Sequence, residues 1–298
     1  MSRVSLIIPC YRDAATIARA LESVYRQTRP VEEVIVVIDC SPETKEIERV
    51  LKVFPHVVLI KHAVNLGLAA TRNTGVKAAT GDIVTFLDAD DELHPQKIEL
   101  QAQLMDGDSA ATCAVQKVFP GRAPCVPSVY HGSGRVRTVT STGRMLLANY
   151  LTGASLMIPK ALIDRVAGYD TSLRSCEDYD LWLRLLESGV KVRKLDRPLY
   201  IYHINPTGLS KDLQSISYWE LEVLQRYFAR REKLGYGAQY VWAWWMLKHL
   251  VRAEANCHAE LKARTETNIE TLQGSALLRW GLKALNGSRV LSLCAVLK

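Results

Sequence analysis

Short apolar runs and amphipathic stretches alternate along the first ninety residues. The apolar runs are rich in β-branched residues, which is typical of buried strands, and they cover Val4–Pro9, Val34–Ile38, Val57–Ile60 and Ile83–Leu87. Between the runs, apolar residues recur every three or four positions. This spacing predicts helices after Asp13, from Pro42 and over Ala69–Ala79. Asp13 can cap the first of these helices with its side chain. The order favours an α/β fold with a mainly parallel central sheet and helices on both faces.

The pattern changes further along the chain. Phe119–Thr142 is dense in Pro and Gly and has no periodicity, so we expect a long functional loop there. Ser155–Ile158 predicts another strand, and Leu181–Glu187 a helix that starts after Glu177 and Asp178.

Strand patterns disappear beyond about residue 210. Helical patterns replace them over residues 218–233, 239–260 and 267–297. We therefore predict a domain over residues 1–210 and a helical C-terminal region over residues 211–298.

Composition narrows the class of protein. The 298 residues are 23% charged and 48% hydrophobic, which is ordinary for a globular chain of one or two domains. No apolar run is long enough to span a bilayer, and the first residues do not resemble a secretory signal. The seven cysteines are scattered without a C-x-x-C pair, which argues against a disulfide framework or a zinc ribbon. We expect a cytoplasmic protein.

The net charge is +7, and most of the basic excess lies in the C-terminal region. No nucleic-acid-binding motif accompanies it, so we expect no nucleic-acid partner. Trp242, Trp244 and Trp245 lie just before further basic residues. This stretch predicts a packed helix, a peripheral contact with the inner face of the membrane, or a surface for a lipid-linked acceptor. A contact between subunits is equally open.

Polar residues follow the predicted strands, where ligands bind in open parallel sheets. After the fourth strand, Asp88 and Asp90 project to the same side of an extended backbone. Closely spaced carboxylates suit Mg²⁺ or Mn²⁺ shared with a diphosphate. Such an ion would act as a Lewis acid on a phosphate leaving group.

A second acidic segment covers Ser175–Asp180, next to the predicted helix that carries Trp182. Acids at this position are often caps or partners of the helix dipole. Alternatively, one carboxylate faces the cleft and removes a proton from a substrate hydroxyl as a general base. The residues by themselves leave both interpretations open.

Four ordered motifs resemble those of the family 2 glycosyltransferases, which have the GT-A fold. They read VSLIIPCYRDAATIARALESVYRQT, VIVVIDCSPE, NLGLAATRNTGVKAATGDIVTFLDADD and SCEDYDLWLRLLESG. The resemblance covers about two thirds of the chain, from Val4 to Ser210. It implies inverting, metal-dependent transfer of a sugar from a nucleoside diphosphate, usually UDP, to an acceptor hydroxyl. The implied products are bacterial surface polysaccharide, glycolipid or cell-wall glycan.

The resemblance also implies roles on the donor side. Pro9 and Tyr11 match the segment that lies against the nucleoside, and Asp39 matches the aspartate that binds the uracil edge. Asn65 and Arg72 match polar residues near the base and the phosphates.

Further roles follow for the acidic motifs. Asp88, with Ala89 beside it, lies near the ribose and the metal, while Asp90 is the principal metal ligand. Asp178 matches the catalytic base. The remaining positions are Glu177 and Trp182 on the acceptor side and His203 on the phosphate side. The implied cofactor is Mn²⁺ or Mg²⁺.

The sequence departs from the family pattern at three positions. Ile38 replaces the first of two aspartates, while His203 and Asn205 replace an Arg and a His near the diphosphate. Arg193 or Lys194 could substitute for the missing charge, or the donor could differ. The alternative function is a nucleotide-sugar-binding module without transfer activity. A nucleotidyltransferase would need a glycine-rich loop after the first strand, and a glycoside hydrolase would not need the D-x-D motif.

Overall fold

The computed structural model describes residues 2–132, 134–205, 213–230, 245, 263 and 265. The described strands are β1 (Val4–Cys10), β2 (Glu33–Ile38), β3 (Val57–Lys61), β4 (Ile83–Phe86), β5 (Glu92–Leu93), β6 (Ser109–Val118), β7 (Val136–Val139), β8 (Met157–Pro159) and β9 (Lys191–His203). The described helices are α1 (Ile17–Tyr25), α2 (Thr44–Leu51), α3 (Leu68–Ala78), α4 (Lys97–Ala102), α5 (Gly143–Leu147), α6 (Lys160–Arg165), α7 (Glu177–Glu187) and α8 (Leu213–Ala229).

The strands form one mixed sheet in the order β3-β2-β1-β4-β8-β6-β9-β5, with β7 paired to β9. The first four strands along the chain are mutually parallel, as the sequence predicts. β8 is antiparallel to both of its neighbours, and β6 pairs with β9 in parallel. Because β1 lies between β2 and β4, the strand order reverses there. We therefore expect a ligand to bind at the carboxyl ends of these strands.

Burial explains why the first two strands read as unbroken apolar runs. All seven residues of β1 are buried, as are the last five of β2, because both strands have neighbours on each side and are covered on both faces. β3 is the edge strand, and Val58 and Leu59 are 42% and 37% exposed. Only part of the apolar run of β3 is therefore buried in the core.

Helix α3 packs very closely on β1. A Cβ on Gly75 would lie 2.3 Å from Cγ2 of Ile7, a distance that real contacts do not reach. The small residue at this position brings the helix against the sheet. Arg72 lies one turn earlier on α3. The close contact between helix and sheet therefore determines where Arg72 lies relative to the ends of the strands.

The structure corrects several element predictions. α7 begins at Glu177, so both acids lie inside its first turn. The predicted loop over Phe119–Thr142 contains β7, which β9 recruits as an antiparallel partner. The predicted strand at Ser155–Ile158 begins as a 3₁₀ turn, because the Ser155 amide and hydroxyl both donate to the Thr152 carbonyl.

Asp13 also differs from its prediction, because it does not cap α1 with its side chain. Its carboxylate instead accepts a hydrogen bond from the Tyr11 amide at 2.9 Å. Its main-chain oxygen accepts the amides of Thr16 and Ile17.

The chain divides into two compact units. The first comprises Met1–Thr142 and Tyr150–Gly208, and the second Gly143–Asn149 and Leu209–Lys298. In the second unit, buried Trp245 donates its indole N–H to the Leu146 carbonyl. Two predicted helices lie outside the described residues apart from isolated positions, and they cover residues 239–260 and 267–297. Trp242, Trp244 and the basic end also lie outside the described residues. Among the described residues, no helix is both long enough and apolar enough to cross a bilayer.

Candidate active site

One arginine joins the two acidic motifs. Arg72 donates from Nη2 to Oδ1 of Asp88 at 2.9 Å and from Nη1 to Oε1 of Glu177 at 2.6 Å. The arginine is 3% exposed, and the two acids are far apart along the chain. The structure therefore brings the D-x-D motif and the start of α7 together at the carboxyl edge of the sheet.

The Tyr169 ring and the neighbouring Asn73 side chain hold Arg72 in place. Its guanidinium carbon lies 5.5 Å from the centre of the buried Tyr169 ring. The Asn73 side chain bonds both main-chain groups of Tyr169, donating to its oxygen and accepting from its amide at 2.8 Å each. Arg72 and Asn73 are consecutive residues of α3. Arg72 supplies the cation, and Asn73 fixes the main chain of Tyr169, whose ring lies against that cation.

The charges around Arg72 keep it protonated. Burial alone would lower its pKa, but the nearby acids, Asp88 first, raise the pKa above its ordinary value overall. One buried cation bonds two carboxylates here, so its loss would leave both acids without a compensating charge. Arg72 is thus a fixed centre of positive charge between the two motifs, and both of its terminal nitrogens bond acids.

Asp178 lies in the first turn of α7, next to this centre. The preceding Cys176 has a left-handed backbone with φ 59°, which turns the chain sharply into the helix. The Gly153 amide donates to Oδ2 of Asp178 at 3.1 Å. Burial, followed by repulsion from Glu177, raises the pKa of Asp178 to about 6. A half-buried carboxylate with this pKa can act as a general base near neutral pH.

Several carboxylates lie close together around the D-x-D motif. Asp88 and Asp90 are half-buried, and Ala89 between them is buried. Burial raises the pKa of Asp90 to about 6, with further contributions from Asp88 and Asp13, while a hydrogen bond from the Asn205 side chain opposes the rise. Asp13 therefore adds a third acid to the vicinity, and Asn205 contacts the residue that the sequence proposes as a metal ligand.

Asp91 and Glu92, which follow the D-x-D motif, form hydrogen bonds with residues at the end of β9. Asp91 is fully buried and accepts from the Tyr200 hydroxyl at 2.7 Å and the His203 amide at 2.8 Å. Burial, then the charge of Asp88, raises the pKa of Asp91 to about 8. The His203 ring bonds Oε1 of Glu92 through Nε2 at 2.7 Å. His203 thus joins β9 to the acidic loop, and its proposed phosphate contact stays a prediction.

The two basic residues that could replace the missing arginine are bound elsewhere. Arg193 pairs with Asp106. Lys194 donates to the main-chain oxygen of Tyr150 at 2.7 Å. These contacts do not support a role for either cation at the diphosphate.

Asp39 is buried after β2 and holds the next loop of the site. Its Oδ1 accepts from the Leu66 amide, and its Oδ2 from the Gly67 amide, at 2.8 Å each. Nδ1 of His62 lies 2.8 Å from Oδ1, and the other ring nitrogen lies 2.9 Å from the Thr74 hydroxyl. A carboxylate has about four acceptor sites, so these contacts leave capacity for about one further donor on Oδ2.

The other predicted nucleoside contacts surround Asp39. Pro9 is buried within β1 beside Val37, while Tyr11 follows that strand and is 38% exposed. Asn65 is exposed and donates to the Asp39 main-chain oxygen at 3.1 Å. Tyr11 and Asn65 are therefore accessible to a ligand, whereas Pro9 is buried and its predicted contact with the nucleoside stays a prediction.

Trp182 differs from what the sequence suggests for the acceptor side. It is fully buried, and its indole nitrogen has no hydrogen-bond partner among the described residues. Glu177 is 7% exposed and bonds Arg72. In this structure Trp182 is therefore not at an accessible surface, because it lies one turn after Asp178 on the inward face of α7.

No group of three or more His, Cys, Asp or Glu side chains in the described ranges could hold a metal ion. Asp88 and Asp90 nevertheless fit a hard divalent cation, since Mg²⁺ commonly takes one or two protein carboxylates and fills its other positions with phosphate oxygens and water. Burial raises the pKa of Asp90 most, and the nearby charges of Asp88 and Asp13 add to the rise, so a cation would stabilise the ionised carboxylate.

Several residues of the site carry no signal that spacing alone could reveal. Tyr169 and Asn73 support Arg72, His62 supports Asp39, and Gly153 contacts Asp178. Asp13 follows the first strand in the sequence, but its position there indicates a helix cap and not a place beside Asp90. The others act through contacts between distant segments.

Comparison with known proteins shows the family and the fold of this chain. The family model described as glycosyl transferase family 2 matches residues 5–155, and the one described as glycosyl transferase family group 2 matches residues 83–292. A solved structure of S. aureus TarS 1-349 in complex with UDP-GlcNAc has a TM-score of 0.69 at 19% identity, covering 91% of this chain and 81% of that one. This likeness shows a GT-A fold.

Curated relatives have matching names. A Haemophilus influenzae glycosyltransferase is 30% identical over 273 residues, covering 89% of this chain and 91% of the relative. The colanic acid biosynthesis glycosyl transferase WcaA of Escherichia coli is 26% identical over 211 residues, covering 68% and 72%. Some relatives are much longer, and the chain spans 27% and 31% of two Rickettsia glycosyltransferases. The matched models and the Haemophilus relative together show that this chain belongs to glycosyl transferase family 2.

Proposed function

We propose that this glycosyltransferase moves a sugar from a UDP-linked donor to an acceptor hydroxyl, with inversion at the anomeric carbon. The observation that carries the proposal is the pair of hydrogen bonds from Arg72 to Asp88 and Glu177, which joins the donor motif to the helix that bears Asp178. Inversion needs a base on the face of the sugar opposite the leaving diphosphate. The contact of both acidic motifs with Arg72 supports an arrangement of donor and base around one sugar.

Each residue then has a defined task. Asp178 accepts the proton of the acceptor hydroxyl while the hydroxyl oxygen bonds the anomeric carbon and the electron pair of the broken bond leaves with UDP. Asp39 and Tyr11 bind the nucleoside, Asp39 through the free site on Oδ2. Positioning of the two substrates contributes most of the rate enhancement.

A divalent cation at Asp90, with Asp88, would neutralise charge on the diphosphate and act as a Lewis acid. The local excess of carboxylate supports this role, since Asp88 and Asp13 both raise the pKa of Asp90. Asn205 would stay close to the ion through its hydrogen bond to Asp90.

The acceptor belongs to a surface polysaccharide or a related glycan. The name of the E. coli relative, which refers to colanic acid biosynthesis, supports this class. We propose that the protein works at the inner face of the membrane, where lipid-linked acceptors are presented.

A panel of UDP-sugars with Mn²⁺ tests the proposal through two measurements, thermal stabilisation and release of UDP. We expect Asp178→Asn to keep donor binding nearly intact while UDP release falls about 10²–10⁴-fold, because only the base is lost. Asp108→Asn is the matched control, since that acid is exposed and, within the described part of the chain, only its main chain forms hydrogen bonds. Full activity of Asp178→Asn would remove it from the role of base.

The same panel separates the alternatives. Stabilisation by a donor without UDP release in any condition would favour a binding module that lacks transfer activity. We expect Asp90→Asn to weaken the dependence of UDP binding on Mn²⁺, with Asp108→Asn again unchanged. Equal dependence in both variants would contradict Asp90 as the metal ligand.

A further inference from the structure

We propose that Gly153 is a positioning residue for the base, and that its lack of a side chain is what lets Asp178 occupy its place. The inference rests on the proposed role of Asp178. Gly153 begins the 3₁₀ turn before β8 and is buried against the first turn of α7.

The space between the two residues admits no side chain. A Cβ on Gly153 would lie 2.4 Å from Cβ, 2.8 Å from Oδ2 and 3.0 Å from Cγ of Asp178. All three of the nearest atoms belong to this one aspartate. Since real Cβ contacts do not fall below 3.0 Å, an alanine would displace either Asp178 or the turn.

The turn is the less movable of the two. Ser155 bonds its hydroxyl to that of Thr112 at 2.5 Å, and its main-chain oxygen accepts from Gln101 at 2.9 Å. The next carbonyl, of Leu156, accepts from the Thr85 hydroxyl at 2.8 Å. Buried hydrogen bonds from three separate elements therefore anchor the turn, so an added methyl would push Asp178 rather than the turn. Because the nearest atom is the Cβ of Asp178, the first turn of α7 would have to move with it.

Gly153 also acts on Asp178 electrostatically. Its amide donates to Oδ2 at 3.1 Å, which stabilises the ionised carboxylate. The other charged and titratable groups that act on this carboxylate are Glu177 on the same helix, Arg72 on α3 and Tyr169 beneath Arg72. A shift of Asp178 away from the amide removes one of the two main-chain hydrogen bonds that lower its pKa.

Gly153→Ala tests the inference through turnover. We expect kcat for UDP-sugar turnover to fall on the order of 10²-fold, while KM for the donor stays nearly unchanged, because the donor contacts lie elsewhere. We also expect the acid limb of the pH profile to move to higher pH. Gly107→Ala is the matched control, since Gly107 has open space around its Cβ position and no positive φ. A kcat close to that of wild type would overturn the proposal.

A stability cycle tests the contact without any assay of activity. Gly153→Ala should lower Tm in the wild-type background and have little effect in an Asp178→Gly background, where the clashing atoms are absent. Equal losses in both backgrounds, or a double variant that does not fold while Asp178→Gly does, would overturn the proposed contact. If wild type turns over no donor at all, the proposed function fails, but the cycle still decides the contact.

Discussion

At the scale of residues, the site depends on one positive charge, that of Arg72, which two carboxylates share. Among the described residues, Arg72 bonds both Asp88 and Glu177. Its hydrogen bond to Glu177 is buried, and its hydrogen bond to Asp88 is partly buried. When one member of a buried ion pair is removed, the remaining charge is uncompensated, at a cost of about 3–5 kcal/mol. The three residues should therefore respond to substitution as a unit.

Arg72→Gln is expected to lower Tm by on the order of 10 °C, because it leaves Asp88 and Glu177 facing each other without a cation. The double variant Arg72→Gln with Glu177→Gln should recover part of this loss, since one of the repelling charges is gone. Thermal unfolding of the single and double variants measures the coupling. Arg122→Gln, at an exposed arginine, is the control. Strictly additive losses would contradict the shared-charge interpretation.

The pKa of Asp178 sets a pH dependence. Burial and then Glu177 raise this pKa to about 6, and a general base must be ionised to accept a proton. Activity should therefore be present above about pH 6 and fall about tenfold per pH unit well below it. Initial rates of UDP release across this range measure the limb. Glu177→Gln should move the limb to lower pH, because it removes the repelling charge, whereas an unmoved limb would count against Asp178.

The sequence predicts the identity of the acidic residues better than their partners. Asp88, Asp90 and Asp178 stand out because carboxylates follow apolar runs, a signal that is local. Tyr169 and Gly153 do not stand out, because each acts on a residue far away in the chain. Spacing along a sequence carries no information on such contacts.

At the scale of elements, the loop after β3 depends on one carboxylate. Asp39 binds the amides of Leu66 and Gly67 and the ring of His62, so the start of α3 is fixed to the end of β2. The loop then presents Asn65 beside the proposed nucleoside site. His62 is buried between Asp39 and Thr74, so it acts on the site through Asp39.

His62→Asn should weaken UDP binding, because Asp39 loses the ring that orients it. A hydrogen bond to a charged group contributes about 1.5–3 kcal/mol, so we expect a loss of roughly 10- to 150-fold in affinity. Calorimetric titration with UDP measures the change. His56→Asn is the control, since His56 is exposed and its positive φ is one that Asn tolerates. An unchanged Kd would separate His62 from the donor site.

The parallel half of the sheet could be predicted because each of its strands is an apolar run bounded by a turn. β7 could not, since four exposed or half-exposed residues become a strand only through pairing with β9. The start of α7 was placed too late because acids at a helix start resemble a cap. In both cases the deciding contacts lie outside the local sequence.

At the scale of the whole molecule, the two units carry different predictions. The site described above lies in the first unit alone. In the second, Trp245 is buried and bonds a main-chain oxygen, so this tryptophan packs inside its own unit. A membrane contact therefore depends on Trp242, Trp244 and the basic end, and it stays a prediction.

Flotation with vesicles tests that prediction. The full chain should float with vesicles that contain anionic lipid and not with neutral ones. Replacing Arg279, Lys283 and Arg289 by Glu should reduce binding on the order of 10²-fold, since each basic residue near such a surface contributes about 1 kcal/mol. The variant should keep donor-dependent stabilisation, which serves as the control for folding. Failure of wild type to float at low salt would remove the membrane contact.

The shared cation also limits how this enzyme could be redesigned. We propose Glu177 for the acceptor side and Asp88 for the donor side, and one guanidinium bonds both. A graft that swaps the α7 motif for that of another transferase would thereby disturb the nucleotide pocket as well. Libraries aimed at new acceptors should therefore vary the α3 and α7 positions jointly.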